Sequence, residues 1–177
     1  MAPGEFVLPS LDDTHRFGRR LAAVLRPGDL IVLTGPLGAG KTALVQGIGA
    51  GLGVRGPVTS PTFVIARVHR PSGTVAGRIP LVHVDAYRLG GIAEIDDLDL
   101  DVDTAEAVTA VEWGAGLAEQ LADSHLRIEL SRSAEAGSEL RTARLRPVGG
   151  DWAARLGALL DPGPATRLGE PLSGCDA

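Results

Sequence analysis

The sequence predicts an α/β domain in which helices flank a mixed β-sheet. The segment DLIVLTG (29–35) holds four consecutive aliphatic residues, which is typical of a strand buried on both faces. A glycine-rich turn and a helix with apolar residues at helical spacing follow this strand. Residues 125–132 and 139–147 instead alternate polar and apolar residues, as half-exposed antiparallel strands do. Together these three features predict one sheet that contains strands of both kinds.

The N-terminal third contains four predicted elements. Residues 5–9 predict a short edge strand. Ser10, with Asp13 three residues later, predicts a capped helix whose apolar residues recur at helical spacing up to Pro27. The buried strand at 29–35 comes next. A second helix, which ends at a Gly-Leu-Gly sequence, is predicted after the glycine-rich turn. The four aliphatic residues that predict it are Leu44, Val45, Ile48 and Leu52.

The remainder of the chain continues the alternation of strands and helices. The turn-rich connection at 71–78 predicts that the strands on either side of it form a hairpin. The predicted strands are 62–70, 79–89, 107–113, 125–132 and 139–147, and the predicted helices are 114–123 and 151–161. We therefore expect a single domain over residues 1–161. Residues 162–177 hold three prolines and three glycines, and we expect this tail to be disordered.

Composition narrows the class of protein. The net charge is −5, which argues against unaided binding to a nucleic-acid backbone, since such binding neutralises phosphates. The only cysteine is Cys175, so a disulfide framework is excluded and a reducing compartment is expected. The N-terminus resembles no signal peptide, and no apolar run approaches the ~20 residues of a membrane span. We expect a cytoplasmic protein with no membrane partner.

The segment Gly35-Pro-Leu-Gly-Ala-Gly-Lys-Thr42 matches the G-x-x-x-x-G-K-[ST] pattern of a phosphate-binding loop, or P-loop. Glycines let the backbone curl so that its N–H groups surround phosphate oxygens, and the following helix directs its positive dipole end at the anion. Lys41, the only lysine in the chain, can reach the terminal phosphates, and the Thr42 hydroxyl can ligate Mg²⁺. The motif predicts a P-loop NTPase-like fold that binds a nucleoside triphosphate.

Two carboxylates are candidates for holding the metal or its water. Asp85 ends the strand LVHVD and Glu112 ends AVTAVE, at the sheet edge where open α/β sheets bind ligands. His83 lies on the same face of its strand as Asp85, and we expect a hydrogen-bonded core residue there. The TSPTF segment places Ser60 and Thr62 on a loop that could face the γ-phosphate, although the residues by themselves favour an ordinary polar turn.

Residues 94–106 carry seven acidic side chains in thirteen. A solvated loop is the usual explanation for such a run, and a dock for a basic partner is the alternative.

The motifs LTGPLGAGKTAL, TSPTFVI, HVDAYRL and VEWG, in this order and spacing, resemble the TsaE (YjeE) family of small P-loop ATPases in tRNA threonylcarbamoyladenosine biosynthesis. The resemblance covers roughly residues 5–150. It implies ATP and Mg²⁺ as cofactors and partners similar to TsaD and TsaB. It also implies that the protein acts on tRNA, at adenosine 37 of ANN-decoding species, only indirectly through a complex with those partners.

The resemblance further implies roles for individual residues. Lys41, Asp85 and Glu112 would be catalytic, with Thr42 and Glu112 as metal ligands and Asp85 holding or positioning a water. Ser60 and Thr62 would form a switch-like loop, and Trp113 would pack. Leu11 would border the adenosine end of the nucleotide. The other nucleotide-binding residues would be those of the loop: Gly35, Leu37, Gly38, Ala39, Gly40, Lys41 and Thr42.

Three other classes compete with a partner-dependent ATPase. A small-molecule kinase of the P-loop class usually has an arginine-bearing lid, but the five arginines of 125–147 lie on predicted strands. A GTPase would need N-K-x-D, and the chain contains no asparagine. A scaffold with a vestigial site would not hydrolyse ATP. No arginine is plainly placed at the γ-phosphate; Arg88 is a candidate, and a partner could supply one.

Overall fold

A computed structural model describes residues 4–61, 65–73, 78–88, 104–113, 116, 122–135 and 137–160 of the chain. Within these ranges the α-helices and β-strands are β1 (Glu5–Leu8), α1 (Leu11–Ala22), β2 (Leu30–Thr34), α2 (Lys41–Leu52), β3 (Ala66–His69), β4 (Leu81–Asp85), β5 (Val108–Glu112), β6 (His125–Arg132), β7 (Arg141–Val148) and α3 (Trp152–Leu160). Short 3₁₀ turns occupy Ala86–Arg88 and Thr104–Glu106.

The seven strands form one mixed sheet in the order β1-β7-β6-β2-β5-β4-β3. The central strands β4, β5, β2 and β6 run parallel. Antiparallel strands close both sides: β3 pairs with β4, β7 with β6, and β1 with β7. The predicted α/β class, mixed sheet, edge strand and hairpin are therefore confirmed.

Two hydrophobic clusters lie on opposite faces of the sheet. One gathers side chains of α1, α2 and α3 against residues such as Ile31 and Leu33 of β2. The other contains the alternate β2 residues Leu30 and Val32, with Val111 of β5 and Val84 of β4. Because β2 contributes to both clusters, its aliphatic run is buried on both faces, as the sequence predicted.

Helix α1 begins at the predicted cap. The Ser10 N–H donates to Asp13 Oδ2 at 3.1 Å, and the Asp13 N–H donates to Ser10 Oγ at 3.2 Å, which together form a capping box. The helix ends at Ala22, short of the predicted limit, because the next N–H groups, of Val24 and Leu25, bond to carbonyls three residues back instead of four. The chain then turns at Gly28, which has a φ of +82°, before it enters β2.

Other element limits also differ from the predictions. β3 and β4 are shorter than 62–70 and 79–89, and the latter strand gives way to the 3₁₀ turn at Ala86–Arg88. Most of the predicted helix at 114–123, most of the acidic run and the 162–177 tail fall outside the described residues, so the single-domain boundary stays a prediction. No helix in the described ranges is long and apolar enough to cross a bilayer.

Candidate functional site: a glycine-rich loop beside two strand-terminal carboxylates

The loop between β2 and α2 has a backbone that requires glycine. Gly35, Gly38 and Gly40 have φ angles of 136°, 76° and 101°, which side-chain-bearing residues rarely adopt. A Cβ on Gly35 would also lie 2.1 Å from the Leu130 carbonyl oxygen. Gly40 is the N-cap of α2, so the N-terminus of the helix is directed at the loop. The spacing of the motif therefore encodes this geometry directly.

Lys41, the first residue of α2, is held within its own loop. Its Nζ donates to the carbonyl oxygens of Gly35 and Pro36 at 2.8 and 3.0 Å, and it lies 3.7 Å from the centre of the Trp113 ring. Burial lowers the pKa of the ammonium group, while the nearby charges of Glu112 and Asp85 act in the opposite direction. The ammonium is thus fixed at the loop by carbonyls and by an aromatic face.

The two predicted carboxylates are neighbours. Asp85 and Glu112 end the parallel strands β4 and β5 and are paired in register. Both are buried, and Asp85 Oδ1 accepts a hydrogen bond from the Tyr87 N–H at 3.1 Å. The Thr42 hydroxyl donates to Glu112 Oε1 at 2.8 Å, which joins the first turn of α2 to the end of β5.

His83 is fully buried and hydrogen-bonded, as expected of a core residue. Its partner, however, is a site residue, because His83 Nε2 lies 2.8 Å from Glu112 Oε1. Strand alternation could place His83 on the face of Asp85. It could not reveal the contact across to β5, which depends on the pairing of the two strands.

A cleft of about 610 Å³ opens over these groups. Nine of the predicted site residues line it: Leu11, Leu37, Gly38, Gly40, Lys41, Thr42, Ser60, Asp85 and Glu112. Gly35 and Ala39 shape the loop without lining the cleft, since Ala39 is buried in the core. Thr62 lies outside the described residues, and so does the side chain of Arg88.

Sequence reasoning missed part of this lining. Tyr87 and Arg141 face the cleft, and Trp113, expected only to pack, lies over Lys41. Arg141 is buried, its Nη1 donates to the Glu139 carbonyl, and its side chain lies 3.1 Å from where a Cβ on Gly40 would stand. The alternating pattern correctly predicted that Arg141 lies on a strand. It contained no signal that this strand begins beside the glycine-rich loop.

The oxygen donors present suit a magnesium ion. A hydroxyl from Thr42 and carboxylates from Glu112 and Asp85 are ligands of the kind that Mg²⁺ prefers. The part of the chain that the structure describes holds no group of three or more His, Cys, Asp or Glu residues able to bind a metal by themselves. The residues therefore fit an ion that takes its remaining ligands from water and phosphate, as Mg²⁺ in nucleotide sites does.

A glycine-rich loop that joins a central parallel strand to a helix, on a mixed sheet with acids at the ends of neighbouring strands, defines the P-loop NTPase-like class of α/β folds. A family model described as "Threonylcarbamoyl adenosine biosynthesis protein TsaE" matches residues 8–141. The chain belongs to the TsaE family.

Individual relatives and a solved structure agree with this assignment. The Streptomyces coelicolor tRNA threonylcarbamoyladenosine biosynthesis protein TsaE is 54% identical over 141 residues, which are 78% of this chain and 93% of that protein. The Mycobacterium tuberculosis protein of the same name is 48% identical over 147 residues, 78% and 85% of the two chains. The crystal structure of Bacillus subtilis YdiB superposes with a TM-score of 0.68 at 29% identity, covering 88% of this chain and 93% of that one.

Proposed function

We propose that this chain is a Mg²⁺-dependent ATP-binding and ATP-hydrolysing subunit required for threonylcarbamoyladenosine modification of tRNA. It acts on adenosine 37 of ANN-decoding tRNAs through a complex of TsaD and TsaB homologues. Family membership supports the pathway. The observation that carries the ATPase proposal is the contact of Thr42 with Glu112, directly beside the lysine of a phosphate-binding loop.

The chain's own groups suit a polyphosphate. The backbone of Leu37–Thr42 and the N-terminus of α2 offer N–H donors and a positive dipole end to phosphate oxygens. Lys41 Nζ contacts two carbonyl oxygens of the loop and would exchange these partners for phosphate oxygens. Leu11 and Arg141 line the same cleft at the start of α1 and of β7, and we assign the adenosine end to Leu11.

The metal site follows from the same contacts. Thr42 and Glu112 would hold Mg²⁺, and Asp85 would hold a metal-bound water or position the attacking one. The ion when bound supplies charge neutralisation at the β- and γ-phosphates. Ser60 lies on the cleft wall, where a switch-like loop would meet the γ-phosphate, and Thr62 keeps the same proposed role.

The charge of the molecule suits indirect contact with tRNA. With a net charge of −5 the chain offers little attraction to a phosphate backbone, so the complex provides that contact. We also propose that TsaD and TsaB homologues complete the hydrolytic site, which makes hydrolysis slow alone and faster in the complex.

A small-molecule kinase is less well supported. The five arginines of 125–147 lie on the strands β6 and β7 or at their ends, not on a helical lid. A kinase would transfer the γ-phosphate of ATP to a hydroxylated metabolite, whereas the proposed ATPase releases inorganic phosphate without an acceptor.

The proposal is tested in cells and with purified proteins. Depletion of the gene is expected to remove threonylcarbamoyladenosine from tRNA hydrolysates measured by mass spectrometry. A wild-type copy restores the nucleoside, and a Lys41→Ala copy expressed at the same level does not. Normal nucleoside levels after depletion would refute the pathway role. An ATP hydrolysis rate that does not change when TsaB and TsaD are added would refute partner stimulation.

A further inference from the structure

One carboxylate oxygen of Glu112 receives two contacts. The Thr42 hydroxyl and His83 Nε2 each lie 2.8 Å from Glu112 Oε1. The three groups come from different elements, α2, β4 and β5. Both contacts within the described residues are made to the same oxygen, so they hold the carboxylate from one side.

The tautomer of His83 follows from its surroundings. Nδ1 is buried and has no hydrogen-bond partner in the described part of the chain. A hydrogen on Nδ1 would therefore be a buried donor without an acceptor, which is costly. A hydrogen on Nε2 instead points at the Glu112 carboxylate. Both ends of the ring favour the tautomer in which His83 donates to Glu112.

Both His83 and its partner are enclosed. The His83 side chain is fully buried on β4, a strand that lies between β5 and β3, while Glu112 is 3% exposed at the end of β5. Because the Thr42 and His83 donors come from different elements, they restrict rotation of the carboxylate more than Thr42 alone would. Outer hydrogen-bond partners of this kind orient metal ligands and tune their affinity.

We propose that His83 is a positioning residue that fixes the Glu112 carboxylate for the divalent cation of the bound nucleotide. This inference rests on the proposed function, because it assigns His83 to the same Mg²⁺ site. His83 touches neither nucleotide nor metal; it acts through Glu112. Its replacement therefore weakens the response to Mg²⁺ while leaving metal-free nucleotide binding in place.

The chain offers a matched control. His69 is a second buried histidine, on the adjacent strand β3, with its ring centre 6.4 Å from that of His83. Its Nε2 has no hydrogen-bond partner among the described residues. The hydrogen bonds that Glu112 makes with described residues come from Thr42 and His83. His69→Leu therefore removes a buried imidazole from the same part of the sheet and leaves both of these donors in place.

The experiment measures binding of a fluorescent ADP analogue to the protein, first at increasing Mg²⁺ concentrations and then, separately, in EDTA. His83→Leu is expected to raise the half-saturating Mg²⁺ concentration by about 10- to 100-fold, the usual effect of losing such a partner. Its affinity in EDTA stays at the wild-type value. His83→Gln, whose amide N–H can replace Nε2, recovers most of the Mg²⁺ response, and His69→Leu retains all of it. In ATP hydrolysis the loss appears in the Mg²⁺ requirement and is relieved by excess Mg²⁺.

Two results would overturn the positioning role alone. One is a wild-type chain that responds to Mg²⁺ together with a His83→Leu variant that responds equally. The other is an equal loss in His83→Leu and His69→Leu. If the nucleotide affinity of the wild-type chain does not change with Mg²⁺, the proposed function is refuted, and the positioning role with it.

A measurement on the wild-type chain does not depend on the folding of any variant. Long-range ¹H–¹⁵N spectra of the imidazoles are expected to show a hydrogen on Nε2 of His83, both with and without Mg²⁺ and ADP. A bare Nε2 with a protonated Nδ1 would overturn the proposal.

Discussion

Thr42 is the residue at which the helix and the sheet edge meet. Its hydroxyl lies in the first turn of α2 and donates to Glu112 at the end of β5. Valine has nearly the same shape but lacks the hydroxyl. A change to valine therefore separates the role of the oxygen from the role of the side-chain volume.

Thr42→Val is expected to fold and to lose Mg²⁺-dependent ATP hydrolysis by about 100-fold or more, because the metal supplies several kcal/mol of charge stabilisation in such reactions. Thr42→Ser keeps the hydroxyl and loses one methyl group, whose burial contributes about 0.8 kcal/mol. Even if all of this free energy were added to the barrier, the rate would stay within about fourfold of wild type. Phosphate release with varied Mg²⁺ measures both. Equal rates for the valine and serine variants would contradict the metal-ligand role of Thr42.

Single residues of the loop were predictable from sequence because their roles depend on local spacing. Gly35, Gly40 and Lys41 belong to one short turn, whose backbone angles and helix start follow from the motif itself. Arg141 and the stacking of Trp113 on Lys41 were not predictable. They arise where segments far apart in sequence meet in space.

At the level of elements, α1 and α2 pack through glycines. A Cβ on Gly18 would lie 2.6 Å from the Leu44 carbonyl oxygen, and one on Gly47 would lie 2.4 Å from that of His15. These distances leave no room for a methyl group between the helices. The close approach sets the position of α2, and with it the direction in which its N-terminus points.

Gly47→Ala is expected to destabilise the protein by up to about 2 kcal/mol, because an overpacking cost of about 1–3 kcal/mol outweighs a gain of about 1 kcal/mol from the better helix propensity of alanine. The matched change, Gly157→Ala in α3, meets nothing within 4 Å and is expected to be neutral or stabilising by up to about 1 kcal/mol. Chemical denaturation of both variants checks this. A Gly47→Ala variant as stable as Gly157→Ala would show that the two helices are not in close contact.

The sequence predicted which segments form helices and which form strands, but it predicted the residues at which they end less accurately. The capping box at Ser10 and the left-handed Gly53 after α2 were local signals and marked their boundaries. The prediction from apolar spacing extended α1 beyond Ala22. The reason is that apolar residues such as Leu25 follow the helix and are buried in the core without being helical.

At the scale of the whole molecule, the strand order creates the site. β2 lies between β5 and β6, and β5 lies between β2 and β4. The carboxyl ends of β2, β4 and β5 therefore meet at one edge, which brings the loop, Asp85 and Glu112 together. The sequence predicted a mixed sheet but not this order, because neighbours such as β2 and β6 are separated by about ninety residues of chain. Local patterns do not report such pairings.

The central claim is that the loop and its acids bind an adenine nucleotide with Mg²⁺, and equilibrium titration of ATP into the purified chain tests it most directly. We expect saturable binding that strengthens with Mg²⁺. We also expect a loss of about 10- to 100-fold in Lys41→Ala, since a hydrogen bond from a charged group contributes about 1.5–3 kcal/mol. Circular dichroism confirms that both samples are folded. A folded wild-type chain with no measurable affinity for any adenine nucleotide in the presence of Mg²⁺ would contradict the account.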